Sequence, residues 1–243
     1  MAEITRSNTC DCCGDYVQSP YVFQHDSEWY SGHKPCMDAP MIRKLAQDSA
    51  PKPLPHIALT GGLRGGKDTV GAYLREKYGY TRLAFGDGIR EVTFRLYPHL
   101  YANGEKPRAL LQGFGQMARS FDEDVWVRDM FRRIDGHERL SRADAEFYGH
   151  KYEPTRVVIT DLRQPNELAR CRAEGYVIIR VKAASALRIQ RAVEAADTFT
   201  YSDLAHETEQ HTDGFAVDYE IENDGTLAEL YAKVDAIMVA INT

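Results

Sequence analysis

A short apolar segment followed by a glycine-rich loop, near residue 60, limits the possible folds more than any other part of the chain. The segment HIALT at 56–60 is apolar enough to be a buried β-strand, and GGLRGGKDT follows it at 61–69. Between a strand and a helix, such a loop can curl its backbone N–H groups around a phosphate. The usual pattern is Gly, four residues, Gly, Lys and then Ser or Thr. The sequence therefore predicts an α/β domain built around a phosphate-binding loop.

One position of this loop departs from the usual pattern. Gly61, Gly66 and Lys67 are in place, whereas Asp68 stands where a magnesium-binding hydroxyl usually lies, and Thr69 comes one residue late. We expect Lys67 to reach the β- and γ-phosphates of ATP. Asp68 is expected to meet magnesium through a water, because this ion keeps several of its own waters. The residues expected to bind ATP are Gly61, Gly62, Leu63, Arg64, Gly65, Gly66, Lys67, Asp68 and Thr69.

Strand-like and helix-like segments alternate along the chain after the loop. Strands separated by helices predict a parallel sheet with helices on both faces, which is a three-layer α/β/α fold. A polar stretch at 136–153 shows no helical period and is predicted to be an irregular insertion or loop. The other predicted elements are strands at 56–60, 81–85, 156–160, 176–181 and 219–222, and helices at 67–78, 88–97, 107–120, 123–134, 164–173, 184–195 and 226–241.

An acidic residue ends a second buried strand, in the segment RVVITD at 156–161. In phosphate-loop enzymes a carboxylate at such a position holds magnesium, so we expect Asp161 to do this. Arg188 and Arg191 are three residues apart on a predicted helix and therefore share a face. We expect them to belong to a lid at about 183–212 that covers the phosphates and stabilises the charge developing during phosphoryl transfer. The expected catalytic residues are Lys67, Asp161, Arg188 and Arg191.

Further arginines lie where a second, phosphorylated ligand would bind. Arg90 follows the second predicted strand, Arg119 lies on a later helix, and Arg163 comes two residues after Asp161. Arg108 and Gln112 are four residues apart on one helical face, an arrangement that suits a phosphate and a base. Each arginine alone would be an ordinary surface residue, and only their joint placement indicates a site.

Six segments occur along the chain in the order GGLRGGKDT, AFGDGIRE, RALLQGFGQMAR, VVITDLRQPNE, HETEQ and IENDGTLAEL. Together they resemble the bacteriophage deoxynucleoside monophosphate kinases, which are P-loop kinases related to adenylate kinase. The resemblance covers about residues 56–243, and the GKDT loop and the DxRxxNE stretch are its most specific parts. It implies that the γ-phosphate of ATP is transferred to a deoxynucleoside monophosphate, with magnesium.

The same resemblance implies which residues meet the two substrates. Residues 61–69 would bind ATP, and Arg188 and Arg191 match the lid. His206 and Glu209 fall in an HxxE-like stretch of the family and are candidates to cap and orient the lid. Taken with the helix positions, the residues expected on the acceptor side or the cleft floor are Asp87, Arg90, Arg108, Gln112, Arg119, Trp126, Asp161, Arg163 and Glu167.

Four of the five cysteines lie within the first 36 residues. Cys10 and Cys13 form a C-x-x-C pair, and after nineteen residues His33 and Cys36 form an H-x-x-C pair. Two short-spaced ligand pairs joined by such a loop predict a zinc site with three cysteines and one histidine. A segment this short has little hydrophobic core, and zinc would supply the missing folding energy. Cys12 is a surplus thiol or an alternative ligand.

Three prolines in PKPLP at 51–55 predict a stiff linker between a zinc-binding module at 1–50 and a kinase domain at 56–243. The formal net charge of −6 argues against strong nucleic-acid binding, because that affinity comes from clustered basic residues. No apolar stretch is long enough for a membrane helix or typical of a secretory signal. We therefore expect a cytosolic protein, in the host cytoplasm if a phage encodes it.

Two other functions fit the same sequence. One is a different small-molecule P-loop kinase, for example one that acts on dephospho-coenzyme A. The other is a zinc-ribbon adaptor whose nucleotide-binding domain is a switch. Such an adaptor would bind ATP without phosphorylating an acceptor, and it would lose its function when residues 1–50 are deleted. The role of that segment stays open between a structural element, a homodimer contact and a surface for another protein partner.

Overall fold

The computed structural model describes residues 9–11, 14–18, 21–25, 28–36, 54–102, 104, 106–194 and 212–242. The chain forms two compact units, Met1–Pro53 and Leu54–Thr243. In the smaller unit, strand β1 (Tyr21–His25) pairs in antiparallel register with strand β2 (Glu28–Gly32), and α1 is a single helical turn at Lys34–Cys36.

A five-stranded parallel sheet forms the centre of the larger unit. Its strands are β3 (Ile57–Thr60), β4 (Thr81–Leu83), β5 (Val157–Ile159), β6 (Val177–Lys182) and β7 (Tyr219–Glu222). Across the sheet they follow the order β4-β5-β3-β6-β7, so the strand that precedes the glycine loop lies in the middle.

Helices connect these strands in the way that parallel pairing requires. They are α2 (Lys67–Tyr78), α3 (Phe85–Leu96), α4 (Arg108–Phe121), α5 (Val125–Tyr148), α6 (Pro165–Ala173), α7 (Ser185–Glu194) and α8 (Leu227–Ile241), with a short 3-10 helix at Pro98–Tyr101. Among the described residues, no helix is both long and apolar enough to cross a membrane.

Successive residues of β3 face opposite sides of the sheet, and each side is covered by helices. On one side Leu59 belongs to a cluster that includes Leu74 of α2 and Val234 of α8. On the other side Ala58 belongs to a cluster that includes Phe131 of α5 and Cys171 of α6. Burying one large apolar side chain contributes about 1.5–3 kcal/mol, so both clusters stabilise the sheet. The predicted three-layer α/β/α fold is confirmed.

The path of the chain through the sheet creates a crevice at the carboxyl end of β3. From β3 the chain passes to β4 and β5 on one side, and then crosses to β6 and β7 on the other. In open α/β sheets, ligands bind where the connections diverge in this way, beyond the carboxyl ends of the strands. The glycine loop follows β3 directly and therefore lies at this position.

The prediction of an irregular segment at 136–153 is wrong for most of its length. Helix α5 runs without a break for 24 residues to Tyr148, and Gly149, with φ of 68°, ends it. Glu138 and Arg142 form an ion pair of 3.6 Å one turn apart, and such pairs favour an exposed helix. Only Ala145 of this extension is buried, so the segment lacks the apolar stripe by which helices are predicted.

Candidate active site

Two glycines of the loop between β3 and α2 cannot be replaced, because the loop passes close to the backbone of Val181 and to the side chain of Asn223. Gly61 has a φ of 129°, and a Cβ there would lie 2.2 Å from the carbonyl oxygen of Val181. Gly66 has a φ of 104°, and a Cβ there would lie 2.2 Å from the amide nitrogen of Asn223. Left-handed backbone and close approach both require glycine. These contacts explain the positions of the first and last glycines of the motif.

Arg64 is the one described residue other than glycine with a positive φ, at 58°. This conformation costs about 1–2 kcal/mol for a residue with a Cβ. Alternation of left-handed and right-handed residues makes a concave surface of N–H groups that binds anions. The strain at Arg64 therefore lies in the part of the loop where a phosphate would be held.

Lys67, the first residue of α2, is 93% removed from solvent, with a relative exposure of 7%. Its Nζ donates to the carbonyl oxygens of Gly61 at 2.5 Å and Gly62 at 2.8 Å. The ammonium group therefore lies across the loop rather than in bulk water. Together with the N-terminus of α2, which carries a partial positive charge, it favours an anion at this position.

Asn223, which follows β7, braces the loop from the side of the C-terminal helix. Its Nδ2 donates to the carbonyl oxygen of Gly65 at 2.9 Å, and this bond is buried. Its own backbone carbonyl accepts a hydrogen bond of 3.0 Å from Nη2 of Arg191. Asn223 lies in the segment IENDGTLAEL, and no spacing rule links this segment to a loop that is 158 positions away.

The two arginines predicted for the lid lie in different places. Arg188 donates from Nε to the carbonyl oxygen of Leu63 at 2.7 Å, and its guanidinium covers Gly62 so closely that a Cβ there would lie 2.4 Å from it. Arg188 does not line the cleft, whereas Arg191 does. Helix α7 carries both side chains, and residues 195–211 of the predicted lid, with His206 and Glu209, lie outside the described residues.

One cleft of about 1550 Å³ runs from the glycine loop to helices α3, α4 and α6. A typical small-molecule pocket measures about 300–1,000 Å³, so this cleft has room for two ligands. Nine basic and five acidic side chains line it, although the formal net charge of the whole chain is −6. Its lining includes these residues from the sequence prediction: Leu63, Arg64, Gly65, Gly66, Lys67, Asp68, Thr69, Arg90, Arg108, Gln112, Arg119, Asp161, Arg163, Glu167 and Arg191.

Asp161 joins the end of β5 to the start of α3. Its Oδ1 accepts a hydrogen bond of 2.7 Å from the backbone N–H of Phe85, and its Oδ2 accepts one of 2.9 Å from that of Gly86. Both bonds satisfy N–H groups of the first turn of α3, which have no partner within the helix. A carboxylate has about four lone-pair sites, so further oxygen–ligand contacts towards the cleft stay available.

Asp87, which was predicted to contact the acceptor, does not line the cleft itself but binds two arginines that do. Its carboxylate accepts a hydrogen bond of 2.8 Å from the backbone N–H of Ala84, the residue before α3. The helix therefore begins at Phe85, three residues before its predicted start. The same carboxylate pairs with Arg90 at 2.7 Å and Arg82 at 3.1 Å. One negative charge shared by two guanidinium groups leaves an excess of positive charge in the cleft, which both arginines line.

Lys106 is a cleft residue that the sequence analysis missed. Desolvation in the cleft lowers the pKa of this partly exposed side chain, and the positive charges of Arg90, Arg108 and Arg163 lower it further. Neighbouring cations act on a pKa in this way only when they lie close together. Lys106 precedes α4 by two positions and belongs to no motif, so the one available signal was its proximity to Arg108 in the sequence.

Glu167 is the first-turn carboxylate of α6 and is 2% exposed. Its Oε2 accepts hydrogen bonds from the backbone N–H groups of Arg163 at 2.9 Å and Gln164 at 3.0 Å, and its Oε1 lies 3.7 Å from Arg119. Burial, reinforced by the negative charge of Asp161, raises the pKa of Glu167 to about 7. Glu167 therefore fixes the backbone that carries Arg163, in addition to lining the cleft.

Trp126, which was predicted to bind the acceptor, is not among the described residues that line the cleft. The side chain is 6% exposed and its Nε1 donates to the carbonyl oxygen of Gly115 at 3.1 Å, with Phe114 beside it at 6.3 Å between ring centroids. The indole thus joins α5 to the buried side of α4. Gln112, on the same helix, does line the cleft.

Two buried polar atoms at the cleft have no hydrogen-bond partner within the described part of the chain. They are Oγ1 of Thr160 and Nη1 of Arg191. Buried polar groups are nearly always hydrogen-bonded, and an exception calls for an explanation. Both residues line the cleft, so a bound ligand or water can supply the missing partner. The donor character of a guanidinium N–H favours an anion at Arg191.

No protein-family model matches this chain, and no curated protein matches it. Solved structures of kinases resemble it at low sequence identity. A shikimate kinase from Acinetobacter baumannii in complex with shikimate is 17% identical, with 77% of this chain and 94% of that chain covered and a TM-score of 0.48.

Two further structures give similar values. A gluconokinase from Sinorhizobium meliloti is 15% identical over 78% of this chain and 94% of that one, with a TM-score of 0.45. A shikimate kinase from Bacteroides thetaiotaomicron is 13% identical over 78% and 99%, with a TM-score of 0.48.

Proposed function

We propose that the larger unit is a kinase that transfers the γ-phosphate of ATP to a deoxynucleoside monophosphate and forms the diphosphate. The observation that carries the proposal is that a phosphate-binding loop and a group of basic side chains line one cleft. Phosphoryl transfer needs little covalent help from a protein, and depends on positioning and on stabilising negative charge. The cleft has the components for both.

The loop at 61–69 is the proposed site for the triphosphate of ATP. Its backbone N–H groups, the N-terminus of α2 and Lys67 would hold the phosphates, and Arg191 would offer its unpartnered Nη1 to the transferred group. Magnesium prefers oxygen ligands, and the carboxylates of Asp68 and Asp161 line the same cleft. When bound, the ion neutralises charge on the phosphates, and these two carboxylates are the groups that would hold it.

The acceptor is proposed to be an anion because the acceptor side of the cleft is positively charged. Arg82 and Arg90 share the single carboxylate of Asp87, and Lys106 and Arg108 line the same cleft. A phosphate monoester brings about 1.5 to 2 negative charges at neutral pH and would compensate this excess, whereas a neutral sugar would not. In the transfer step an oxygen of this phosphate attacks the γ-phosphorus, the bond to the β-phosphate oxygen breaks, and ADP leaves.

The choice of a deoxynucleoside among phosphorylated acceptors rests on the resemblance of the sequence motifs. Steady-state ADP release in the presence of magnesium tests it with a panel of deoxynucleoside monophosphates, ribonucleoside monophosphates and dephospho-coenzyme A. We expect saturable ADP release with at least one deoxynucleoside monophosphate. Turnover with dephospho-coenzyme A alone would favour the other kinase, and tight ATP binding without any acceptor turnover would favour the adaptor.

Removal of one cleft arginine should separate the two substrates. Arg108→Ala should raise the KM for the acceptor by about 10–150-fold, since a hydrogen bond to a charged group contributes roughly 1.5–3 kcal/mol. The KM for ATP should change little. Arg132→Ala is the matched control, because Arg132 lies on α5 outside the cleft and its side chain is 75% exposed. An equal effect of both substitutions on the acceptor KM would count against the proposed acceptor site.

A further inference from the structure

Three metal-ligating side chains meet in the smaller unit, outside the proposed kinase site. The ligand atoms of Cys10, His33 and Cys36 lie within 4.8 Å of one another. In a tetrahedral zinc site, with Zn–S bonds near 2.3 Å, neighbouring ligand atoms are about 3.8 Å apart. The three atoms are thus at most about 1 Å farther apart than the separation that a zinc ion imposes.

Each of these ligands lies on a tight turn that is closed by its own backbone hydrogen bonds. Around the first turn, the N–H of Gly14 donates to the carbonyl of Cys10 at 2.8 Å, and the N–H of Cys10 donates to the carbonyl of Asp15 at 2.8 Å. Gly14 has a φ of 79°, which favours glycine. In the second turn the N–H of Cys36 donates to the carbonyl of His33 at 2.9 Å.

A second set of hydrogen bonds holds the two turns against each other. The N–H of Asp11, next to Cys10, donates to the carbonyl of Ser31 at 2.9 Å, and the N–H of Ser31 donates to Oδ2 of Asp11 at 2.5 Å. Ser31 lies in β2, two residues before His33. The pairing therefore positions both ligand-bearing turns through atoms that are not ligands, which is the arrangement that an organised metal site requires.

Few apolar side chains are buried in the part of the smaller unit that the structure describes. Among residues 9–36 whose side chains are described, the buried apolar ones are Cys10 and Val17. A unit of this size seldom folds on such a core without a disulfide or a metal. Cys10 and Cys36 do not form a disulfide. Structural zinc contributes roughly 10–16 kcal/mol at neutral pH to small domains, which is enough to fix the unit.

We propose that Cys10, Cys13, His33 and Cys36 bind one structural zinc ion. Cys13 lies outside the described residues and is included because its C-x-x-C spacing from Cys10 is that of zinc-binding turns. Thiolates with one imidazole suit zinc, and four protein ligands leave no position for a substrate. The neutral imidazole keeps its proton on the nitrogen that is not bound, and the three thiols release one proton each to the solvent. This proposal is independent of the proposed kinase activity.

Zinc content of the full-length chain tests the site. After removal of loosely bound metal, elemental analysis should find one zinc per chain, and Cys10→Ser and Cys36→Ser should each lose it. Cys12→Ser is the matched control and should keep the full content. Absence of zinc from the wild type after reconstitution, or full zinc content in Cys36→Ser, would overturn the proposal. Loss of zinc in Cys12→Ser with retention in Cys13→Ser would overturn the ligand set.

Because a ligand variant can lose zinc by failing to fold, a second measurement uses the wild type alone. Zinc added to the metal-free full-length chain in weak buffer near pH 7 should release about three protons per ion, since free thiols are mostly protonated at that pH. Cobalt in place of zinc should give the visible absorption of a tetrahedral ion with thiolate ligands. Release of about two protons or fewer, or an octahedral cobalt spectrum, would contradict a site with three cysteines and one histidine.

Discussion

Asn223 connects the phosphate-binding loop to the segment before α8 through one buried hydrogen bond, and Asn223→Ala removes this bond without changing any charge. The lost bond is the 2.9 Å contact from Nδ2 to the carbonyl oxygen of Gly65. The contact of Arg191 with the backbone carbonyl of Asn223, at 3.0 Å, does not involve the amide side chain and should survive. The substitution therefore removes the contact that holds the loop and leaves the contact that holds α7 in place.

The size of the loss in stability follows from the carbonyl of Gly65, which the substitution leaves buried without a hydrogen-bond donor. A buried carbonyl without its partner costs about 1–3 kcal/mol, so the free energy of unfolding should fall by this amount. If ATP binding must restore the loop, the same energy weakens binding, and the Kd for ATP should rise by roughly 5–150-fold. Urea unfolding measures the first quantity, and calorimetric titration with ATP and magnesium measures the second.

Asn242→Ala is the control for this experiment, because Asn242 is exposed and follows α8 outside the cleft. It should change neither quantity by more than about 0.5 kcal/mol. An unchanged Kd for ATP in Asn223→Ala, together with an unchanged free energy of unfolding, would refute the reasoning that this amide holds the loop.

Four further substitutions probe the cleft and the residues packed behind it. Lys67→Ala should reduce kcat at least about 100-fold in an ADP-release assay, the loss typical of one essential charge-stabilising donor. In the same assay the kcat of Asp68→Ser should stay within about tenfold of the wild-type value. An inactive Asp68→Ser variant that still binds ATP would show that Asp68 has a role beyond holding the metal. Glu167→Gln tests the pKa of Glu167, which folding raises from 4.5 to about 7. The free energy of unfolding of the wild type, relative to the variant, should fall by about 3 kcal/mol as the pH rises from 4.5 to above 7, because the folded chain then holds a buried charge. A difference between wild type and variant that does not depend on pH would contradict the raised pKa. Trp126→Phe removes the indole hydrogen bond to the carbonyl of Gly115, which keeps its place in the hydrogen bonding of α4. The loss should cost about 0.5–1.5 kcal/mol in urea unfolding while the KM for the acceptor stays constant, and a raised KM would instead indicate that Trp126 contacts the acceptor.

The fold could be predicted because its signals are local. Three elements that follow one another in the sequence are β3, the glycine loop and α2. Their apolar spacing and their glycines are sufficient to predict them. The predicted helix at 123–134 is shorter than α5 because the rest of α5 carries no local signal of this kind. Its extension past residue 135 is stabilised by helix propensity and ion pairs on an exposed surface, and leaves no apolar stripe for a sequence pattern to detect.

The site could be predicted only where a motif or a helical spacing placed a residue. Arg108 and Gln112 were found in this way, and both line the cleft. Lys106 and Asn223 were missed because their positions depend on contacts between distant segments. Trp126 was misplaced because an aromatic residue near a predicted site can equally well pack behind its wall, and spacing does not separate the two cases.

The identity of the phosphorylated product tests the central proposal most directly. The full-length chain would be incubated with ATP, magnesium and each deoxynucleoside monophosphate, and phosphorus NMR would follow the reaction. The account predicts a new diphosphate, with its own α- and β-phosphorus signals, which forms together with ADP and is absent with Lys67→Ala. ATP consumption with inorganic phosphate as the product, or phosphorylation of dephospho-coenzyme A but of no nucleoside monophosphate, would contradict it.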